Sequence, residues 1–146
     1  MATNHDLSDT AVYVGLTALG INVGIHAAMT PDHLAEMTYI GVLFIIGNVL
    51  VFAAMLLLYH PRTRQSGWVL GGLVCAGEIA AFILSRTTGL PNGYHESWAA
   101  TTEDKLGLAC VVVEALFVAI AAVRLPRLTS FSRRDVRRPL ADQRTA

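Results

Sequence analysis

The chain alternates between long apolar stretches and short polar ones, and this pattern predicts four helices. The apolar stretches span about residues 11–29, 38–59, 68–85 and 106–125. Each is close to the ~20 residues that an α-helix needs to cross about 30 Å of hydrocarbon. Four such stretches in 146 residues would leave a water-soluble bundle too little polar surface, so the pattern predicts a membrane protein.

Local signals around these stretches predict where the helices begin and end. Thr30 and Pro31 resemble an N-cap followed by a proline at the first helical position, so the second helix is expected to begin before its apolar run. We expect an all-α fold in which residues 11–125 form an antiparallel transmembrane bundle, preceded by segment 1–10 and followed by a tail at 126–146. The four transmembrane helices are expected at about 11–29, 31–60, 67–86 and 105–125.

The charged residues are few and unevenly placed, and their placement predicts the orientation. Only 15% of the residues are charged, whereas a soluble domain usually has about 25%. Arginines concentrate in the second loop and the C-terminal tail, and the first and third loops are acidic. Because basic loops favour the cytoplasmic side, both termini are predicted to lie in the cytoplasm. The tail is expected to be mostly disordered, with its arginines attracted to anionic lipids rather than to nucleic acid.

Two glutamates lie inside the predicted spans, where an ionisable side chain is costly and requires an explanation. Glu78 precedes the end of the third helix by eight residues, and Glu114 follows the start of the fourth by eight. Both should therefore lie about 12 Å below the same face. Asn22 and His26 share one face of the first helix, and Asn48 adds a polar group to the second. We expect these side chains to meet inside the bundle, either as a functional site or as protonated glutamates hydrogen-bonded to the asparagines.

A second polar group is expected at the outer end of the bundle. It comprises His33 and Glu36 at the start of the second helix and His95 in the third loop, with Arg86 expected to pair with Glu36 or Glu78. Imidazole with carboxylate suits zinc or iron, and imidazole with thioether suits copper. The candidate metal ligands are His26, His33, Glu36, Glu78, His95 and Glu114, supported by Asn22, Asn48, Arg86, Met29 and Met37.

Several other classes of protein fit the chain less well. Cys75 and Cys110 lie singly inside apolar runs, which argues against a disulfide framework or a zinc knuckle. Histidines are sufficient for haem ligation only near the outer face, so a single haem is an alternative cofactor and two haems are not expected. Phosphate-binding loops and serine-hydrolase elbows are absent from the sequence.

Two motifs carry a resemblance. The segment SRTTGLP, followed by a tryptophan and by LG…E, and the pattern H…PDH…E in the first loop resemble a set of small bacterial four-helix membrane proteins. The resemblance covers about residues 14–123. It implies the topology and a bacterial inner membrane, but no activity.

The leading hypothesis is a small integral membrane protein with an outward-facing His/Glu pocket for a metal ion or a metal cofactor. It would act as a homo-oligomer or as an accessory subunit of a larger membrane complex. One alternative is a proton-coupled transporter of a small solute or ion that uses Glu78 and Glu114 as carriers. The other is a structural subunit without a ligand site. No enzymatic reaction follows from the residues.

Overall fold

The computed structural model describes the backbone of residues 4–98 and 102–142, and side chains within 9–98, 102 and 104–125. The helices are α1 (Asn4–Glu36), α2 (Thr38–Tyr59), α3 (Arg64–Thr87) and α4 (Thr102–Asp142), and a short 3-10 turn, Pro91–Gly93, lies between α3 and α4. Each helix packs on the next along the chain, and α4 closes on α1. The prediction of an all-α antiparallel four-helix bundle is therefore confirmed.

All four helices contain a segment that is long and apolar enough to cross a membrane. These segments are Asp9–Glu36, Thr38–Tyr59, Arg64–Thr87 and Asp104–Leu125. Large apolar side chains cover the outside of the bundle; Val49, Leu73 and Val112 are 62%, 69% and 62% exposed. Lipid tails are as apolar as these side chains, so a bilayer removes the cost that such exposure carries in water.

The first two helices meet at a different place from the one predicted. Helix α1 continues through Pro31 to Glu36, and the chain reverses at Met37, a single residue in the extended conformation. Thr30 does not cap a new helix, because its hydroxyl donates to the His26 carbonyl of the preceding turn at 2.6 Å. A hydroxyl bond to the carbonyl four residues earlier is one that threonine makes inside a helix, so Thr30 is an interior residue of α1. Consequently His33 lies in the last turn of α1, two turns beyond His26 and on the same side.

The other helix ends also differ from the prediction. Helix α1 begins at Asn4, and α4 continues to Asp142, so both helices extend beyond the predicted spans. Adding residues to an existing helix avoids the cost of nucleation, and leucine and arginine are good helix formers. Residues 143–146 lie outside the described part of the chain.

The half of the bundle far from the α3–α4 connection has an apolar core. Trp68 and Phe117 stack there with ring centroids 5.0 Å apart, and both are fully or almost fully buried. Glycines make room for the two rings: a Cβ at Gly15 would lie 2.7 Å from Trp68, and one at Gly71 would lie 2.7 Å from Phe117. The buried polar residues lie in the other half, which we call the loop half: Asn22, His33, Ser85, Arg86 and Glu114.

Candidate functional site

A layer of polar side chains crosses the interior of the loop half. The side-chain amide of Asn22, 1% exposed, donates to Glu78 Oε2 at 3.0 Å and to Glu114 Oε1 at 2.8 Å. Glu114 is 2% exposed, and the His26 ring lies beside both carboxylates. The structure therefore brings together the two acids, the histidine and the asparagine that the sequence placed at one depth.

The hydrogen bonds of His26 assign its tautomer. Nδ1 lies 3.2 Å from Asn22 Oδ1, and an amide oxygen only accepts, so Nδ1 carries the proton in the neutral ring. The Nε2 lone pair then remains available to a ligand. Nε2 lies 4.0 Å from Glu114 Oε1, and Nδ1 lies 3.6 Å from Glu78 Oε1.

Cys110 joins this layer, which the sequence analysis did not anticipate. Its buried thiol donates to Glu114 Oε1 at 3.3 Å. Within the described part of the chain, His26, Cys110 and Glu114 are the one group of three His, Cys, Asp or Glu side chains whose ligand atoms all lie within 4.8 Å of one another. The signal in the sequence was the spacing of four residues between Cys110 and Glu114, which places both on one face of a helix.

Three buried side-chain oxygens, one from a second asparagine and two from the acids, have no hydrogen-bond donor among the described residues. They are Asn48 Oδ1, Glu78 Oε1 and Glu114 Oε2. Glu78 Oε1 lies over the α2 backbone, where a Cβ at Gly47 would approach it to 2.6 Å. Buried polar atoms are normally paired in proteins, so unpaired oxygens point to a proton, an ion or a ligand.

A second cluster, which we call the loop-end cluster, connects α1 to the α3–α4 connection. The Tyr94 hydroxyl donates to Glu96 and lies 3.2 Å from His33 Nδ1, so the imidazole N–H donates to the tyrosine oxygen. Burial, followed by the hydrogen bond and charge of Glu96, raises the pKa of Tyr94. The Glu36 carboxylate lies 3.9 Å from His33 Nδ1, but its side chain is 61% exposed.

Arg86 pairs with different acids from those expected. The guanidinium forms ion pairs with Glu96 and with Asp104, at 3.1 Å, rather than with Glu36 or Glu78. It also lies 3.7 Å from the centroid of the Phe82 ring. The connection folds back on α3, where the Glu96 amide donates to the Ser85 carbonyl at 3.0 Å, and this brings the Glu96 carboxylate to Arg86.

The remaining predicted residues are placed as follows. His95 is exposed and lies near Gly89 rather than in the buried layer. Met29 is buried and lines a cavity of about 330 Å³ that contacts both polar clusters. Met37 is half-buried at the break between α1 and α2. His95 is therefore not part of the His26–Cys110–Glu114 group, whereas Met29 lines the same cavity as its three members.

No protein-family model, curated protein or solved structure matches this chain. The resemblance carried by SRTTGLP and PDH thus leads to no identified family. Fold and composition define a class, the small four-helix membrane proteins, and the interior of this one contains a His/Cys/Glu group with the donor atoms of a metal site.

Proposed function

We propose that this chain is an integral membrane protein that binds a divalent transition-metal ion inside its bundle, with zinc favoured. His26 Nε2, Cys110 Sγ and a Glu114 oxygen are the ligands. The observation that carries the proposal is the convergence of these three donor atoms, from α1 and α4, within 4.8 Å.

The distances suit a metal after small side-chain movements. Zinc binds nitrogen, sulfur and oxygen at about 2.0–2.3 Å, so the ligand atoms of a tetrahedral site lie roughly 3.5 Å apart. The distance from Cys110 Sγ to Glu114 Oε1 is 3.3 Å, and from His26 Nε2 to Glu114 Oε1 it is 4.0 Å. Asn22 holds His26 by its other ring nitrogen, as hydrogen-bond acceptors commonly do for metal-bound histidines.

The electrostatics of the layer also favour a cation. Two carboxylates in a membrane span are costly unless they are neutralised. Arg86 is already engaged by Glu96 and Asp104 at the loop end. A metal ion between His26, Cys110 and Glu114 supplies positive charge beside Glu78 as well.

Cys110 changes the preferred metal. Thiolate, imidazole and carboxylate together are the donors that zinc uses in proteins, and Cys110 adds the thiolate to the predicted imidazole and carboxylate. The donor set also favours an ion over a single haem, because Cys110 and Glu114 approach the same metal position as His26. The cytoplasmic orientation of both termini, the bacterial inner membrane, and assembly as a homo-oligomer or within a larger complex stay predictions.

Elemental analysis of the purified protein tests the proposal. We expect stoichiometric zinc in the wild type, and loss of most of it in Cys110→Ser and His26→Gln. Cobalt loaded in place of zinc should give a thiolate charge-transfer band that disappears in Cys110→Ser. Cys75→Ser is the matched control, because Cys75 is also a buried free thiol but lies outside the group.

Two results would contradict the metal proposal. One is a wild-type protein that retains no metal after purification and takes up none from added zinc. The other is equal metal loss in Cys75→Ser and Cys110→Ser when both variants unfold at the wild-type temperature.

A further inference from the structure

The cavity beside the polar layer reaches the outer surface of the bundle between α2 and α3. Its lining includes Leu43 and Leu73, which are 54% and 69% exposed. It also includes Gly47 and Gly77, and a Cβ at Gly77 would meet nothing within 4 Å. Because both helices belong to candidate membrane spans, this gap faces the hydrocarbon of the bilayer.

The loop end of the same cavity is closed. Tyr94, Arg86 and His33 line it there and are 4%, 7% and 8% exposed. The α3–α4 connection is held over this end by the Tyr39 hydroxyl, which donates to the Pro91 carbonyl at 2.6 Å. The gap between α2 and α3 is therefore the more open route to the buried layer.

The interior of the cavity combines an aromatic wall with a polar end. The Phe44 ring lies against His26 and His33, with centroid distances of 4.8 and 4.3 Å. At the polar end Glu78 Oε1 is buried without a hydrogen-bond donor among the described residues. A cavity of roughly 150 Å³ is enough for benzene, so about 330 Å³ holds a substituted ring and the start of a tail.

We infer that a lipid-dissolved molecule enters between α2 and α3 and binds in this cavity, with a hydroxyl-bearing aromatic ring directed at Glu78. The apolar gap selects a molecule that is dissolved in the hydrocarbon. The carboxylate selects a hydrogen-bond donor on its ring. This binding goes beyond the metal site and does not rest on it.

Three probes separate this ligand from other occupants. The protein is placed in lipid nanodiscs, and binding is measured by equilibrium dialysis above the uptake by empty nanodiscs. We expect saturable binding of para-decylphenol, about tenfold or more tighter than that of decylbenzene, because only the phenol donates to Glu78. We also expect phenol without the tail to bind much more weakly. Equal binding of decylbenzene would make the cavity an acyl-chain groove, and equal binding of phenol would make the route aqueous; each result overturns the inference.

Two glycine variants test the route. Gly77 lines the cavity, and its Cβ position is open, so Gly77→Leu should narrow the gap and weaken para-decylphenol binding by at least about tenfold. Gly24→Leu is the matched control, because Gly24 is an exposed helical glycine that also has nothing within 4 Å of its Cβ position and does not line the cavity. Unchanged binding in Gly77→Leu would overturn the inference.

The metal and the phenol can be tested independently. Gly77→Leu should retain the wild-type zinc content. Because Cys110 itself lines the cavity, the metal is removed with a chelator rather than by mutation, and the metal-free wild type should retain para-decylphenol binding. A protein that binds zinc but shows no saturable phenol binding refutes only the lipid-dissolved ligand. A protein that binds the phenol but no metal refutes only the metal proposal.

Discussion

Glu78 and Glu114, on helices that run in opposite directions, accept hydrogen bonds from the same nitrogen, the side-chain amide of Asn22. The two carboxylates reach it because Glu78 lies about two and a half turns before the end of α3 and Glu114 about three turns after the start of α4. One neutral amide thus links α1, α3 and α4 at the level where the bundle changes from apolar to polar packing.

Replacing Asn22 by leucine should destabilise the protein markedly. The variant removes the donor to both buried carboxylates, and a lost hydrogen bond to a charged group costs about 1.5–3 kcal/mol. We expect the free energy of unfolding in detergent to fall by at least about 2 kcal/mol. Asn48→Leu is the control, because Asn48 Oδ1 accepts no hydrogen bond from a described residue; a similar loss in both variants would contradict the special role of Asn22.

Replacing Arg86 by methionine should loosen the α3–α4 connection. The change leaves Glu96 and Asp104 without their shared cation, and breaking a buried ion pair from one side costs about 3–5 kcal/mol. Chemical unfolding in detergent measures the loss, and limited proteolysis should cleave the connection faster than in the wild type.

Arg64→Met is the comparison for Arg86→Met. Arg64 pairs with Asp9 at 3.5 Å, and its side chain is 25% exposed against 5% for Arg86. Ion pairs nearer the solvent contribute only about 0–1 kcal/mol to the free energy of unfolding. If Arg64→Met proved as destabilising as Arg86→Met, the buried network at the loop end would not be a special source of stability.

Gly67→Ala should separate α2 from α3. A Cβ at Gly67 would lie 2.7 Å from Leu58 Cα, and backbone cannot move aside as a flexible side chain can. We expect a loss of about 1–3 kcal/mol in the free energy of unfolding. Gly24→Ala, where the Cβ position is open, should instead gain up to about 1 kcal/mol from helix propensity. A loss of stability in both variants would show that the contact with Leu58 is not the reason why Gly67 must be glycine.

Stability should fall at alkaline pH because of Tyr94. Its pKa in the folded protein lies above the ordinary value of about 10. Above about pH 10 the folded state therefore holds a proton that the unfolded chain releases, and the free energy of unfolding decreases as pH rises. In Tyr94→Phe this component of the decrease should be absent, although the variant is less stable at neutral pH by about 1 kcal/mol or more.

Unfolding measured in detergent between about pH 8 and pH 11 tests the role of Tyr94, because that window brackets its ordinary pKa. Tyr59→Phe is the control, since Tyr59 is 73% exposed. Curves for wild type and Tyr94→Phe that stay parallel across the whole range would rule out the contribution of Tyr94.

The four helices and the shared depth of Glu78 and Glu114 follow from local rules. Apolar runs of membrane-spanning length predict helices, and a fixed rise per residue converts spacing along the chain into depth. The same regularity places Asn22 and His26 on one face of α1. These features need no knowledge of how the helices are arranged around each other.

Other features depend on contacts between helices and could not be read from spacing. Thr30 and Pro31 are compatible with both a helix start and a helix interior, and the packing of α1 against α2 favours the interior. Arg86 has several acids within reach along the sequence, and the folded connection selects Glu96 and Asp104. Cys110 resembles an ordinary apolar position until α1 brings His26 to its face of α4. Helix periodicity sets depth and face within one helix, whereas the choice of neighbours across the bundle comes from side-chain packing between helices.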